Sequence, residues 1–473
     1  MVDVAWALTI LKELMAELAF GTDGYRGEAN NSTLTGINPT TFEKLSYDFA
    51  GLMADVNNEA NPIVIVGRDT RDSGKALSEA VAIGSVGAGA EVWDIGIAPT
   101  PVIAWLAKAH GCSAVAITAS HNPNSDNGFK PFISGGIKPG QEFIDELTRR
   151  YDAGEQPHPG YLGKVYNRST LINLYLAHVV PELGGYGTLA GKTLVVDGAN
   201  GAAYDLAPRL YRRLGAEVVE FACSSTGKLI NENCGAAHLE GAKAFLKSRP
   251  GLTDSDNFLG LLSHDGDGDR VMALDANGQT IDGNYWLQHL AEDQEGIVGT
   301  EYTNTALRRV VQASGVQFHE CPNGDSQVTA KLQELGLKRG GEFTGHLIDL
   351  EHLSSGDGLY MGAWLAVKAA QTGMSFMDIK NELELFPERM VNVSLRDGKP
   401  VVDVLSSSYV QEGIARARQL AEEDDGRLIV RVSGTEPIIR VWSEAKSLKI
   451  VRTATNIVKS YIDQWPYTSL PRA

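Results

Sequence analysis

Asp265, Asp267 and Asp269 alternate along the run Asp265-Gly266-Asp267-Gly268-Asp269-Arg270. Alternate side chains of an extended loop point the same way, so this run can offer three hard carboxylate oxygens to one small cation. Carboxylates that close repel one another unless a cation sits among them, which favours a magnesium site over a solvated acidic turn. A calcium EF-hand is excluded: it needs glycine at its sixth position and glutamate at its twelfth, where this chain has Arg270 and Ala276.

Three further loops carry chemistry-bearing residues. Thr118 to Lys130 reads TASHNPNSDNGFK and follows the apolar run Ala114 to Ile117. Ser120 thus falls just past a strand end, where ligands of α/β folds gather, and is a candidate nucleophile. His121, Asn122 and Lys130 surround it with polar groups, and a lysine supplies a cation or, with a lowered pKa, a proton-transfer group. Gly340 to His346 reads GGEFTGH; Glu342 and Thr344 alternate as acceptor and donor-acceptor suited to sugar hydroxyls, and His346 can shuttle a proton near neutral pH. Arg431 to Pro437 reads RVSGTEP, with Arg440 beyond it. Amides freed by Gly434, the hydroxyls of Ser433 and Thr435, and a guanidinium from Arg431 or Arg440 make an anion pocket fit for a dianionic phosphate. Each of these three loops, taken alone, also reads as an ordinary turn.

The elements that must position these loops follow an α/β rhythm. Phe42, Leu45, Phe49, Leu52, Met53 and Val56 recur at helical spacing, and Ile63 to Val66 reads as a short buried strand. Gly89-Ala90-Glu91-Val92 is echoed by Gly215-Ala216-Glu217-Val218, each after a strand ending in aspartate and a helix, as two copies of one βαβ design would give. A third unit, with a helix from Thr305 to Ser314 and a strand at Val316 to His319, matches the first two poorly. From Met390 the order of strands and helices becomes α+β, which marks a separate domain. Linkers are expected at Gly154 to Gly163, around Asp275 and at Phe386-Pro387.

The chain has 473 residues, 43% of them hydrophobic, enough for roughly three or four domains. Fifty-nine acidic against 42 basic residues give a net charge of -17, which disfavours nucleic acid and anionic membrane as partners and requires an anionic substrate to meet locally placed arginines. Cys112, Cys223, Cys234 and Cys321 show neither disulfide-framework nor zinc spacing, as in a reducing cytoplasm. Val2 to Phe20 is apolar but broken by Asp3, Lys12, Glu13 and Glu17, and reads as an amphipathic extension, not a signal or membrane segment.

With its four loops in this order, the chain resembles the α-D-phosphohexomutase family from about Phe20 onward. TASHNP and DGDGDR resemble that family's phosphoserine and magnesium loops, GEFTGH its sugar-binding loop and RVSGTEP its phosphate-binding loop. The resemblance implies three similar α/β domains with mixed sheets plus a C-terminal α+β domain around a central cleft. The expected divisions are 1–19 (extension), 20–160, 161–275, 276–386 and 387–473. It further implies Mg2+ held by Ser120, Asp265, Asp267 and Asp269, with Arg26, His121, Lys130 and Arg270 balancing negative charge and Lys130 or His346 moving protons. The partner is a small-molecule sugar phosphate: phosphorylated Ser120 would give its phosphoryl group to a hexose 6-phosphate, forming a hexose 1,6-bisphosphate intermediate that also serves as activator. A homodimer stays open.

Within the family, FGTDGYRGEAN, SDNGFK and SGTEP resemble the branch that interconverts glucosamine 6-phosphate and glucosamine 1-phosphate. Tyr25, Ser326, Phe343 and Thr344 depart from that branch's usual isoleucine, arginine, glutamine and serine. Mannose or glucose phosphates are the alternative substrates. A phosphatase would need neither the sugar loop nor the phosphate anchor, and a silent binding protein could lose Ser120 or an aspartate without penalty; all are present. No Walker A sequence supports a P-loop kinase.

Overall fold

The computed structural model describes residues 20–21, 24–29, 36–154, 161–394, 401–432 and 438–465, with backbone only for 401–403. The expected extension at 1–19 lies outside the described residues. Among the described residues no helix is long and apolar enough to cross a membrane.

The first sheet contains β1 (Tyr25–Glu28), β2 (Ile63–Arg68), β3 (Glu91–Ile97), β4 (Ser113–Ile117), β5 (Asp126–Phe132) and β6 (Val165–Asn167) in the order β1-β5-β4-β2-β3-β6. The second contains β7 (Thr193–Asp197), β8 (Glu217–Phe221), β9 (Phe258–His264), β10 (Val271–Leu274) and β11 (Thr280–Ile281) in the order β11-β10-β9-β7-β8, so it continues past residue 275. The third contains β12 (Gly296–Thr300), β13 (Gln317–Cys321), β14 (Arg339–Gly341) and β15 (Leu347–Asp349) in the order β13-β12-β14-β15. The fourth contains β16 (Glu388–Ser394), β17 (Arg427–Val432) and β18 (Ile438–Glu444) in the order β16-β18-β17. The fold is mixed α/β, with both parallel and antiparallel neighbours in the first three sheets.

The glycine echo has a structural cause. Gly89 (φ 90°) and Gly215 (φ 102°) hold the left-handed turn out of a helix two residues before β3 and β8, and Glu91 and Glu217 then open those strands opposite Ile63 and Thr193, the first residues of β2 and β7. Gly315 (φ 88°) stands likewise two residues before β13, whose Gln317 opens opposite Gly296. The third unit therefore repeats the topology even though its sequence hardly shows it. In each sheet the first strand of the unit pairs in parallel with the second and third, and the third pairs antiparallel with the fourth.

The first core shows how sequence produces these layers. Asn38 caps the helix Pro39–Asn57 by accepting from the Thr41 amide, and Pro39 opens it with a preset φ. Phe42, Leu45, Phe49 and Met53 then fall on its inner stripe, where Phe42 and Phe49 meet Phe129 of β5 edge to face.

By packing, the chain forms two units, residues 1–302 with 315–382 and residues 303–314 with 383–473. The helix Thr305–Ala313, although it connects β12 to β13 in sequence, packs with the second unit. Glu444 is fully buried and needs donors there; it accepts from the amide and hydroxyl of Thr305 and from Arg427 Nε at 2.6 Å.

Candidate active site

The three candidate loops of the first unit occupy one topological position. Each leaves the C-terminal end of a parallel strand and turns into its antiparallel neighbour: 118–125 joins β4 to β5, 265–270 joins β9 to β10, and 342–346 joins β14 to β15. Backbone contacts bring them together. Arg270 and His346 form an antiparallel bridge, the Val271 amide donates to Gly345 O at 3.1 Å, and a Cβ on Gly266 would stand 2.3 Å from Ser120 O.

Ser120 is buried and lies in the left-handed region at φ 52°, which costs a non-glycine residue about 1–2 kcal/mol. Several bonds outweigh that cost. The Ser120 amide donates to Thr118 Oγ1 at 2.9 Å, and Ser120 O accepts from Arg71 and Asn231 at 2.8 and 2.9 Å. The turn aims Ser120 Oγ at Asp265 Oδ2, 2.7 Å away, with His121 Nδ1 at 3.4 Å.

All three aspartates are buried, and one carboxylate oxygen from each lies within 4.8 Å of the other two. Lys130 Nζ, itself buried on β5, reaches Asp267 Oδ2 at 3.1 Å and Asp269 Oδ2 at 2.7 Å, and Thr100 Oγ1 donates to Asp267 Oδ2 at 2.7 Å. The set still lacks positive charge. Burial, then repulsion from Asp269 and Asp267, pushes the Asp265 carboxyl far above its ordinary range, and Asp267 Oδ1 is buried without a hydrogen-bond partner. A small divalent cation among these oxygens relieves both strains, so the residues present fit Mg2+.

Burial first, then Arg270 and Arg26, pushes the His121 imidazole down to about 4. Arg26 sits on β1 opposite Gly128, and Arg270 caps Asp265 through its amide, 3.1 Å from Oδ1.

In the third loop, Glu342 and Thr344 come together: Thr344 Oγ1 donates to Glu342 Oε2 at 3.2 Å, and Glu342 Oε1 accepts from the Gly324 amide at 2.8 Å. His346 is buried among three carboxylates, with Nε2 3.5 Å from Asp325 and 3.7 Å from Asp269, and Nδ1 3.8 Å from Glu342. Lys138 pairs with Asp325 in turn. Asp275 is buried, and its Oδ1 accepts from the amides of Asn277 and Gln279, closing the turn at Asn277-Gly278 from inside.

The fourth loop belongs to the second unit. Arg431 of β17 and Arg440 of β18 stand directly opposite each other, an arrangement of like charges that an anion stabilises. Ser433, Gly434 and Thr435 lie outside the described residues.

Residues 17–158 match phosphoglucomutase/phosphomannomutase alpha/beta/alpha domain I, 267–386 match domain III, and 390–456 match the C-terminal domain of the same group. The chain belongs to the phosphoglucomutase/phosphomannomutase family. It is thus an α-D-phosphohexomutase, an isomerase of hexose phosphates. The chain is 36% identical over 458 residues to phosphoglucosamine mutase of Pelotomaculum thermopropionicum, covering 93% of this chain and 98% of that one. It is 38% identical over 439 residues to the Moorella thermoacetica phosphoglucosamine mutase, covering 90% and 94%. Among solved structures, a phosphoglucomutase/phosphomannomutase family protein of Burkholderia thailandensis superposes with a TM-score of 0.77 at 25% identity, covering 96% of this chain and all of that one. The fold is shared with Aspergillus fumigatus N-acetylphosphoglucosamine mutase in complex with GlcNAc-6P and magnesium, at a TM-score of 0.60 and 16% identity, covering 94% and 95%.

The sequence reading missed Arg71, which organises the loop that carries Ser120 in this phosphohexomutase. Its side chain is fully buried; Nε meets Asp69 Oδ2 at 2.9 Å, and the guanidinium donates to the carbonyls of Ser120, Asn122, Pro123 and Asp126. The available signal was position alone, since Asp69-Thr70-Arg71 follows the end of β2 as Thr118-Ala119-Ser120 follows β4. Removing one partner of a buried pair leaves an uncompensated charge, so Arg71→Ala should cost about 3–5 kcal/mol in urea unfolding. Arg71→Lys should recover little of it, because an ammonium cannot reproduce the fork. A loss below about 1 kcal/mol, the scale of an exposed pair, would contradict this role.

Proposed function

We propose that this phosphohexomutase interconverts glucosamine 6-phosphate and glucosamine 1-phosphate in the cytoplasm, through phosphorylated Ser120 and a 1,6-bisphosphate. The observation that carries the substrate is near-full-length similarity to curated phosphoglucosamine mutases at 36–38% identity. At neutral pH the substrate bears an ammonium at C2, and the buried carboxylate of Glu342 in the third loop is chemically suited to a cationic group.

In this reading residues 20–160 supply Ser120, 161–275 the aspartates, 276–386 the sugar loop and 387–473 the phosphate anchor. Asp265, Asp267, Asp269 and a phosphoserine oxygen would hold Mg2+, which supplies charge neutralisation at the transferring phosphoryl group. The sugar hydroxyl attacks phosphorus as the bond from phosphorus to Ser120 Oγ breaks. Lys130 or His346 takes the proton released by that hydroxyl, and Arg26 and Arg270 balance the remaining charge. Glu342 and Thr344 orient the sugar. Arg431, Ser433, Gly434, Thr435 and Arg440 bind the phosphate that does not react. The bisphosphate reorients, and its other phosphoryl group returns to Ser120 Oγ.

Turnover of glucosamine, glucose and mannose 6-phosphates, each primed with its bisphosphate, tests the substrate. The kcat/KM for glucosamine 6-phosphate should exceed the others by about tenfold or more, a margin of about 1.4 kcal/mol in transition-state binding. Equal or higher values for glucose or mannose 6-phosphate would replace the substrate and leave the mutase chemistry intact.

A further inference from the structure

A second group of metal-ligating side chains lies apart from the aspartates. His178 and Glu182 stand one turn apart on the helix Ile172–Glu182, and His352 follows β15. His178 Nε2 is 3.1 Å from Glu182 Oε2, and His352 Nδ1 is 3.6 Å from the same oxygen. One ligand atom from each lies within 4.8 Å of the other two. Ligands at tetrahedral zinc distances are about 3.3 Å apart, so two of the three edges already have the required length.

His352 supplies the independent observation. Its side chain is 2% exposed, and its buried Nδ1 faces Glu182 Oε2 at 3.6 Å, an ion-pair distance beyond that of a hydrogen bond. The opposite nitrogen, Nε2, lies 2.9 Å from Asp357 Oδ2, which also accepts from Tyr175 at 2.8 Å. A carboxylate behind one imidazole nitrogen is the usual outer support of a histidine that ligates metal through the other. Tyr360 stacks on the ring at 3.9 Å and 8°, fixing its plane. The side chains of His178 and Glu182 are 45% and 32% exposed, which leaves an entry path and room for a water as fourth ligand. Two imidazoles and one carboxylate suit a borderline d-block cation, whereas Mg2+ prefers oxygen ligands.

We propose that His178, Glu182 and His352 form a second divalent-metal site, of zinc chemistry, distinct from the aspartate triad. Its occupant ties the helix Ile172–Glu182 to Asp357, the N-cap of the helix Gly358–Thr372. The next amide, Gly358 N, donates to Gly268 O at 3.1 Å, so the site braces the aspartate loop from behind. The competing occupant is a proton. Burial favours a neutral His352 ring, but Asp357 and Glu182 outweigh it and lift the imidazole to about 9, so a protonated ring is the alternative counter-charge.

Titration of the metal-stripped full chain with Co2+ in millimolar Mg2+ separates the two. Mg2+ fills the oxygen site, and visible absorption reports tetrahedral cobalt at a nitrogen-bearing one. One equivalent should bind and be displaced by Zn2+. His178→Ala, at a half-exposed position whose fold is checked by circular dichroism, should weaken Co2+ by at least about tenfold, and Asp357→Asn should weaken it less. Asp267→Asn should leave the cobalt bands unchanged. Absence of saturable Co2+ or Zn2+ binding, or binding that His178→Ala leaves intact, would overturn the proposal and assign the cluster to a protonated His352.

Discussion

Ser120→Ala is expected to lower kcat by about 10⁴-fold or more, because losing the group proposed to carry the transferred phosphoryl removes the covalent route itself. The structure makes the position hard to replace. Ser120 Oγ lies 2.7 Å from Asp265 Oδ2, and the left-handed turn at φ 52° is held by Thr118, Arg71 and Asn231 through backbone atoms that alanine also has. The variant should therefore keep the loop and lose one hydroxyl donor, a stability cost of about 1 kcal/mol, so folding and function separate cleanly. Intact mass after incubation with a hexose 1,6-bisphosphate should show one phosphate adduct on the wild type and none on Ser120→Ala. Ser125→Ala, on the exposed part of the same loop, should keep the adduct. An adduct that persists on Ser120→Ala would move the nucleophile elsewhere.

What the sequence reveals of this site depends on whether the signal is local. Alternating aspartates, a serine past a strand end and a glycine-rich hairpin each announce themselves within about ten residues, a range over which periodicity and turn chemistry act. The glycine echo was legible because Gly89 and Gly215 answer the same backbone demand in front of β3 and β8. The third unit kept that demand at Gly315 while its other residues diverged, so its identical strand order was hidden. Arg71 escaped because its work is done 49 to 55 residues away, on the carbonyls of Ser120 to Asp126. Burial is equally hidden in residue type: amide donors enclose Asp275, and burial with nearby arginines lowers the His121 imidazole to about 4.

Chelation should abolish turnover and Mg2+ should restore it, and Asp267→Asn should lower kcat by about 10²–10³-fold, the scale of losing one preorganised electrostatic partner. Asp267 is the most informative of the three aspartates. Its Oδ2 is already engaged by Thr100 and Lys130, whereas its Oδ1 is buried without a hydrogen-bond partner, so one oxygen is anchored and the other is left for a cation. Asparagine keeps the volume and removes the charge. It also removes one of the two repulsions that push Asp265 upward, so the cation-free variant is under less strain than the cation-free wild type. The two proteins should then respond differently to the ion. A ligand that binds only the folded state stabilises it by RT ln(1 + L/Kd), where L is the free ligand concentration. Mg2+ should raise the Tm of the wild type and of the exposed control Asp256→Asn, and should scarcely move that of Asp267→Asn. Full turnover after exhaustive chelation, or an equal Mg2+-induced shift in Asp267→Asn, would show that the triad does not hold an essential cation.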